Sequence, residues 1–196
     1  MLLLNTTANA IPIRTISETG DFPSNDHIFR TNFELFETSN VEIRSLGYAG
    51  GTNGAGQVIP DGGLDTEIFL FDAITNNLLF MDDDSSNVRS RNGGRFGSRP
   101  QSFDALLNLT LDAGSYTVAL AQFDTSYVGG PLQDNSSFNR STSTNFNDRS
   151  NAFALNITIE SLTPDIHPIP VPEPLSFSLL GLGLAGIASR RLIASR

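Results

Sequence analysis

The chain has no cysteine, no tryptophan and no lysine. Lacking cysteine, it has no disulfides, no thiol nucleophile and no Cys-based zinc site, although this does not decide its compartment. The absence of tryptophan removes the usual aromatic platform of a sugar-cleaving cleft. Histidine occurs only twice, at His27 and His167. A Ser-His-Asp arrangement would have to use His27, and no nucleophile-elbow motif accompanies it. Placed between Asp26 and Ile28, His27 reads as an exposed turn residue. The glycine-rich stretch after Gly47 is no phosphate cradle, because it runs into Pro60 and a strand with no helix start and no lysine. With these parts missing, the chain reads as a non-enzyme.

Acidic residues outnumber basic ones 21 to 12, all of the latter arginine, for a formal charge of −9. Such a surface repels phosphate backbones, which argues against a nucleic-acid partner, and attracts cations. What is abundant is phenylalanine (14) and glycine (17), with many Asn, Ser, Thr and Asp. This mixture favours short strands joined by turns.

Period-two alternation marks the strands. Phe29–Glu37 sets Phe29, Phe33 and Leu35 against Arg30, Asn32 and Glu34. Asn40–Tyr48 alternates Val41 and Ile43 with Glu42 and Arg44. Glu67–Phe71 and Asn77–Met81 are apolar runs joined by a hairpin-type connection at Asp72–Asn76. Ser102–Leu111 and Ser115–Phe123 flank the turn Asp112-Ala113-Gly114, and Phe153–Leu162 alternates again. Seven strands at this spacing predict an all-β fold, an antiparallel jelly-roll-like β-sandwich over residues 16–162. Gly47–Leu64 and the polar stretch Thr125–Ser150 are expected as surface loops, the second with room for a short strand. At the start, Ala8-Asn9-Ala10 has the small-x-small form of a signal-peptidase site, so residues 1–10 are expected to be a signal-peptide remnant.

One acidic constellation suggests a metal. Asp82, Asp83 and Asp84 follow an apolar strand, and Asp65, Asp104 and Asp124 lie near other turns. Calcium takes 6–8 oxygen ligands, mostly carboxylate and carbonyl, and these six aspartates are its candidate ligands. Acidic residues at strand ends also serve simply as solvated turn formers. No EF-hand loop is present.

The C-terminal segment is the most specific. Pro164, Pro168, Pro170, Pro172 and Pro174 make residues 163–174 an extended, semi-rigid linker. Leu175–Ala188 is apolar and rich in Gly and Leu, and is expected to form a hydrophobic helix. At 1.5 Å per residue it spans about 21 Å, short of the roughly 30 Å hydrocarbon core. Arg190 and Arg191 follow, and would sit on the cytoplasmic side of the inner membrane with the domain outside.

Val171-Pro172-Glu173-Pro174, the short apolar stretch and the Arg190–Arg191 pair together resemble the PEP-CTERM sorting signal, over residues 171–196. The resemblance implies recognition at Pro172, Glu173 and Pro174 by an exosortase, a membrane peptidase. It further implies export, transient anchoring in the membrane and release to the cell surface or extracellular matrix. The Leu192–Arg196 tail departs from the pattern.

The body of the chain also carries a resemblance. It runs through Gly50-Gly51-Thr52-Asn53, Gly56–Pro60, Gly62–Asp65, Leu70-Phe71-Asp72, Asp82–Asp84, Phe103-Asp104, Ala113–Thr117 and Gln122-Phe123-Asp124. These segments are similar to an uncharacterised family of bacterial surface domains, itself similar to the bacterial pre-peptidase C-terminal domain, a β-sandwich. This supports the fold and implies no activity. The expected function is a non-catalytic component of the cell surface or exopolysaccharide matrix. The alternative is a calcium-dependent carbohydrate-binding module.

Overall fold

A computed structural model of the chain describes residues 13–84, 103–140, 146 and 149–162. The chain divides into two compact units, Met1–Asp165 and Ile166–Arg196. All described residues belong to the first. The signal-peptide remnant, the linker, the hydrophobic helix and the sorting residues Val171, Pro172, Glu173, Pro174, Arg190 and Arg191 lie outside the described residues.

Among the described residues, eight long strands carry the fold: β1 Ile13–Asp21, β2 Phe29–Leu35, β3 Ser39–Leu46, β6 Thr66–Asp72, β7 Leu78–Asp82, β8 Leu106–Leu111, β9 Gly114–Gln122 and β12 Ala152–Ser161. Four short strands, β4 Gly51–Thr52, β5 Val58–Ile59, β10 Thr125–Tyr127 and β11 Phe138–Arg140, form two small hairpins. The long strands make two antiparallel sheets, β1-β12-β3-β8 and β2-β9-β6-β7. The pairings are nested: β6 with β7, β3 with β8, β2 with β9 and β1 with β12. A long hairpin folded on itself and then rolled gives this order, which is that of a jelly roll.

Period-two alternation decides which side chains meet inside. Val41 and Ile43 of the first sheet share one core with Ile68, Leu70, Val118 and Leu120 of the second. Leu155 and Ile157 complete it from the central strand β12, both fully buried. Burying each such side chain stabilises the fold by roughly 1.5–3 kcal/mol. At the β8–β9 corner the chain crosses between sheets. There the Tyr116 hydroxyl donates to the Asp112 carbonyl at 2.8 Å, similar to a tyrosine corner.

The seven sequence-predicted strands all form, with ends shifted by a few residues. The strand β1 was not predicted: its residues alternate poorly and all are at least partly exposed at the sheet edge. It also carries the domain three residues ahead of the predicted start at Ile16. The Gly47–Leu64 loop contains the β4–β5 hairpin. Its Ile59 packs on Leu46 and Ala154, so the hairpin sits on the outer face of the first sheet. Thr125–Ser150 is not merely a surface loop. Its Leu132 and Phe138 bury Phe69, Phe71, Ala119 and Ala121 on the outer face of the second sheet. This explains why β6 is apolar on both faces.

Gly50 starts the hairpin with φ +63°, and a Cβ there would collide with the Ile59 carbonyl. Left-handed backbone costs a non-glycine residue roughly 1–2 kcal/mol before any clash. Gly50→Ala is expected to destabilise the domain by about 2 kcal/mol or more, read as a lowered urea midpoint with an unchanged slope.

Candidate functional site

Antiparallel pairing brings the start of β6 beside the end of β7. Ile68 pairs with Asp82, so the residues on either side, Glu67 and Asp83, become neighbours on the outer face. Asp65 lies just before β6, its carbonyl accepting from Phe123 N at 2.9 Å. Carboxylate oxygens of Asp65, Asp83 and Asp84 lie within 4.8 Å of one another. Two oxygens coordinated to one calcium at about 2.4 Å are separated by at most about 4.8 Å, so the cluster has the spacing of a shared ion. Asp65 Oδ1 and Asp83 Oδ1 are buried with no hydrogen-bond partner. A buried carboxylate oxygen without a donor is costly, and a cation would satisfy it.

The electrostatics agree. Burial pushes the Asp65 carboxyl up to about 8, reinforced by Asp83, Asp84 and Asp104 and opposed by Arg149. Glu67 is raised to about 8, first by burial and then by Asp83, Asp124 and Asp82; the Thr125 N–H donating to its Oε2 at 3.1 Å opposes this. Asp83 rises to about 6 through burial and its neighbours Asp84, Asp82 and Asp124. Asp84 is raised as well, by burial and then by Asp82. Arg149 brings only partial relief, because its guanidinium is engaged elsewhere. It donates to the Gly63 and Tyr48 carbonyls and stacks over the Tyr48 ring, 3.4 Å from its centroid.

The other three predicted ligands are placed differently. Asp104 is fully buried. Its carboxylate accepts from Gly47 N, Tyr48 N and Ala49 N at 2.7–2.8 Å and from Thr66 Oγ1 at 3.4 Å. It is a clamp on the glycine loop, with both oxygens committed. Asp82 points to the other sheet, where its Oδ2 accepts from Leu106 N at 2.8 Å. Asp124 sits at the β9–β10 turn with φ +68°, and its charge acts on Arg140. Glu67 went unrecognised in the sequence. Its signal is an acid at the head of the apolar run Ile68–Phe71 of β6, which a strand buried on both faces tolerates only for a reason. His27, expected in an exposed turn, lies against Phe22 with ring centroids 5.5 Å apart.

The fold thus defines a β-sandwich that, among the described residues, carries a carboxylate cluster at the β6–β7 end. Comparison with known proteins adds the sorting signal. Residues 170–191 match the family model of the PEP-CTERM protein-sorting motif. The motif indicates an exported protein processed by exosortase, anchored in the membrane transiently before placement at the surface or outside the cell. Among solved structures, the chain is similar to the pre-peptidase C-terminal domain of a collagenase from Bacillus anthracis. That match has 12% identity and a TM-score of 0.39, covering 73% of this chain and 88% of that one. No curated protein matches the sequence.

Proposed function

We propose that the chain is a non-catalytic component of the bacterial cell surface or its exopolysaccharide matrix, displayed there after exosortase processing. The carrying observation is the sorting motif at residues 170–191, directly behind the folded domain. The scarcity of nucleophile–base pairs in the sequence supports the non-catalytic reading. Calcium belongs to the same proposal. Asp65, Asp83 and Asp84 would hold it at the β6–β7 end, where it would neutralise the crowded carboxylates and pin the two strands together.

The test is intact mass and cell fractionation in the native cells. The wild type is expected outside the cytoplasm, ending near Pro172–Pro174. Glu173→Ala is expected to accumulate at full length in the membrane fraction. A full-length wild-type chain in the soluble cytoplasm would sink the proposal.

A further inference from the structure

The two sheets differ on their outer faces. That of the second sheet is covered by Leu132 and Phe138. Among the described residues, that of the first carries the β4–β5 hairpin at one end and no such cover along the rest. Strand register sets Thr15, Thr158, Glu42 and Asn108 in one row across β1, β12, β3 and β8. The same registers place Glu160 and Asn40 in the row on one side, and Asn156 and Arg44 in the row on the other. Apolar side chains enter these three rows only at the edge strands, as Ile13 and Leu106.

This face carries shallow depressions. Two adjoining depressions of about 500 and 440 Å³ share Glu42 and Thr158. The β4–β5 hairpin walls one end. It is seated on Leu46 and Ala154, and Gly54 N donates to Asn156 Oδ1 at 3.0 Å. The result is a shallow groove with a closed end, whose outward side chains are mainly amide, hydroxyl, carboxylate and guanidinium groups. Arg44 lines the second depression, its Nε 3.3 Å from Glu42 Oε1.

We propose that this groove binds a neutral polysaccharide chain. A hydroxyl-rich polymer pairs with donors and acceptors held on a rigid sheet, where little ordering entropy is lost on binding. Of the groove's apolar lining residues, Val41 and Leu46 are buried and Leu109 packs against the core, which leaves little of the apolar anchor a protein or lipid partner needs. Glu42 and Glu160 against Arg44 leave it one charge negative, on a chain of net charge −9. That balance opposes nucleic acid and acidic polymers. The inference gives the surface reading its partner, and rests on that reading only for where the polymer is met.

Affinity electrophoresis of the purified full chain tests it, with calcium in every gel so that the acidic cluster stays in one state. Separate gels contain dextran, galactomannan, arabinoxylan or anionic alginate. Retardation is expected in at least one neutral polymer and not in alginate. Thr158→Arg, which fills the middle of the groove without touching the core, is expected to weaken the interaction at least about tenfold while melting like the wild type. Should that variant fold poorly, Asn108→Arg on the edge strand β8 serves in its place. Migration unchanged by every neutral polymer overturns the proposal, as does stronger retardation in alginate or equal retardation of the variants. None of these outcomes bears on export, which the fractionation experiment decides separately.

Discussion

Asp104→Ala is expected to lower the stability of the domain by about 4 kcal/mol, a melting-temperature drop of roughly 10 °C. The carboxylate is fully buried and accepts from three consecutive backbone amides, those of Gly47, Tyr48 and Ala49. Alanine removes the acceptor and strands those donors in the interior, where each unsatisfied group costs about 1–3 kcal/mol. The damage spreads, because the same loop leads into the β4–β5 hairpin. Asp104→Asn keeps one acceptor oxygen but turns an amide N–H₂ toward another donor, so it is expected to fall between alanine and wild type. Thermal melts of the three proteins side by side check the order. If Asp104→Ala melts within about 2 °C of wild type, the clamp is not structural.

The second large effect links pH to calcium. In calcium-free buffer the domain is expected to lose stability as pH rises from 5 to 8, by at least about 5 °C in melting temperature. Asp65 and Glu67 are raised to about 8 and Asp83 to about 6, whereas unfolded carboxyls titrate near 4. The folded state therefore holds protons that the unfolded state has released. Its advantage is complete below the unfolded value and drains away as pH climbs through the folded ones. Calcium is expected to reverse the trend. At pH 8 a hundredfold excess over its dissociation constant adds about 2.7 kcal/mol. The double variant Asp65→Asn/Asp83→Asn is expected to reduce the pH dependence to the share that the buried Glu67 keeps, and to abolish the calcium shift. Titration calorimetry with no heat, alongside a melting temperature indifferent to calcium, would remove the ion from the proposal.

Much of the fold was legible because half-buried strands print their periodicity on the sequence. The alternations in β2, β3 and β12 and the apolar runs of β6 and β9 all fall where strands form. The edge strand β1 was not legible, since an exposed edge needs no apolar repeat. Nor was the cover over the second sheet, because Leu132 and Phe138 are scattered among polar residues with no period to betray them. For the acidic cluster, the sequence indicated that Asp82–Asp84 matter but could not say which of the six aspartates converge. That depends on the β6–β7 register, which brings Asp65 in. Hydrogen bonding decided against Asp104: a carboxylate destined for three amides looks the same in sequence as one destined for an ion.

The last long strand of the domain is not an edge strand. β12 lies between β1 and β3, and it is the last strand among the described residues. Everything up to Ser150 can have emerged from the synthesis or export machinery while the first sheet still lacks its middle. β1 then has no neighbour, and β3 shows an open edge. A chain cut short before Ala152 is therefore an unclosed domain, with exposed strand edges that invite aggregation or proteolysis. Completion of the fold comes shortly before the sorting motif at residues 170–191, so a closed sandwich reports that the chain was made through β12.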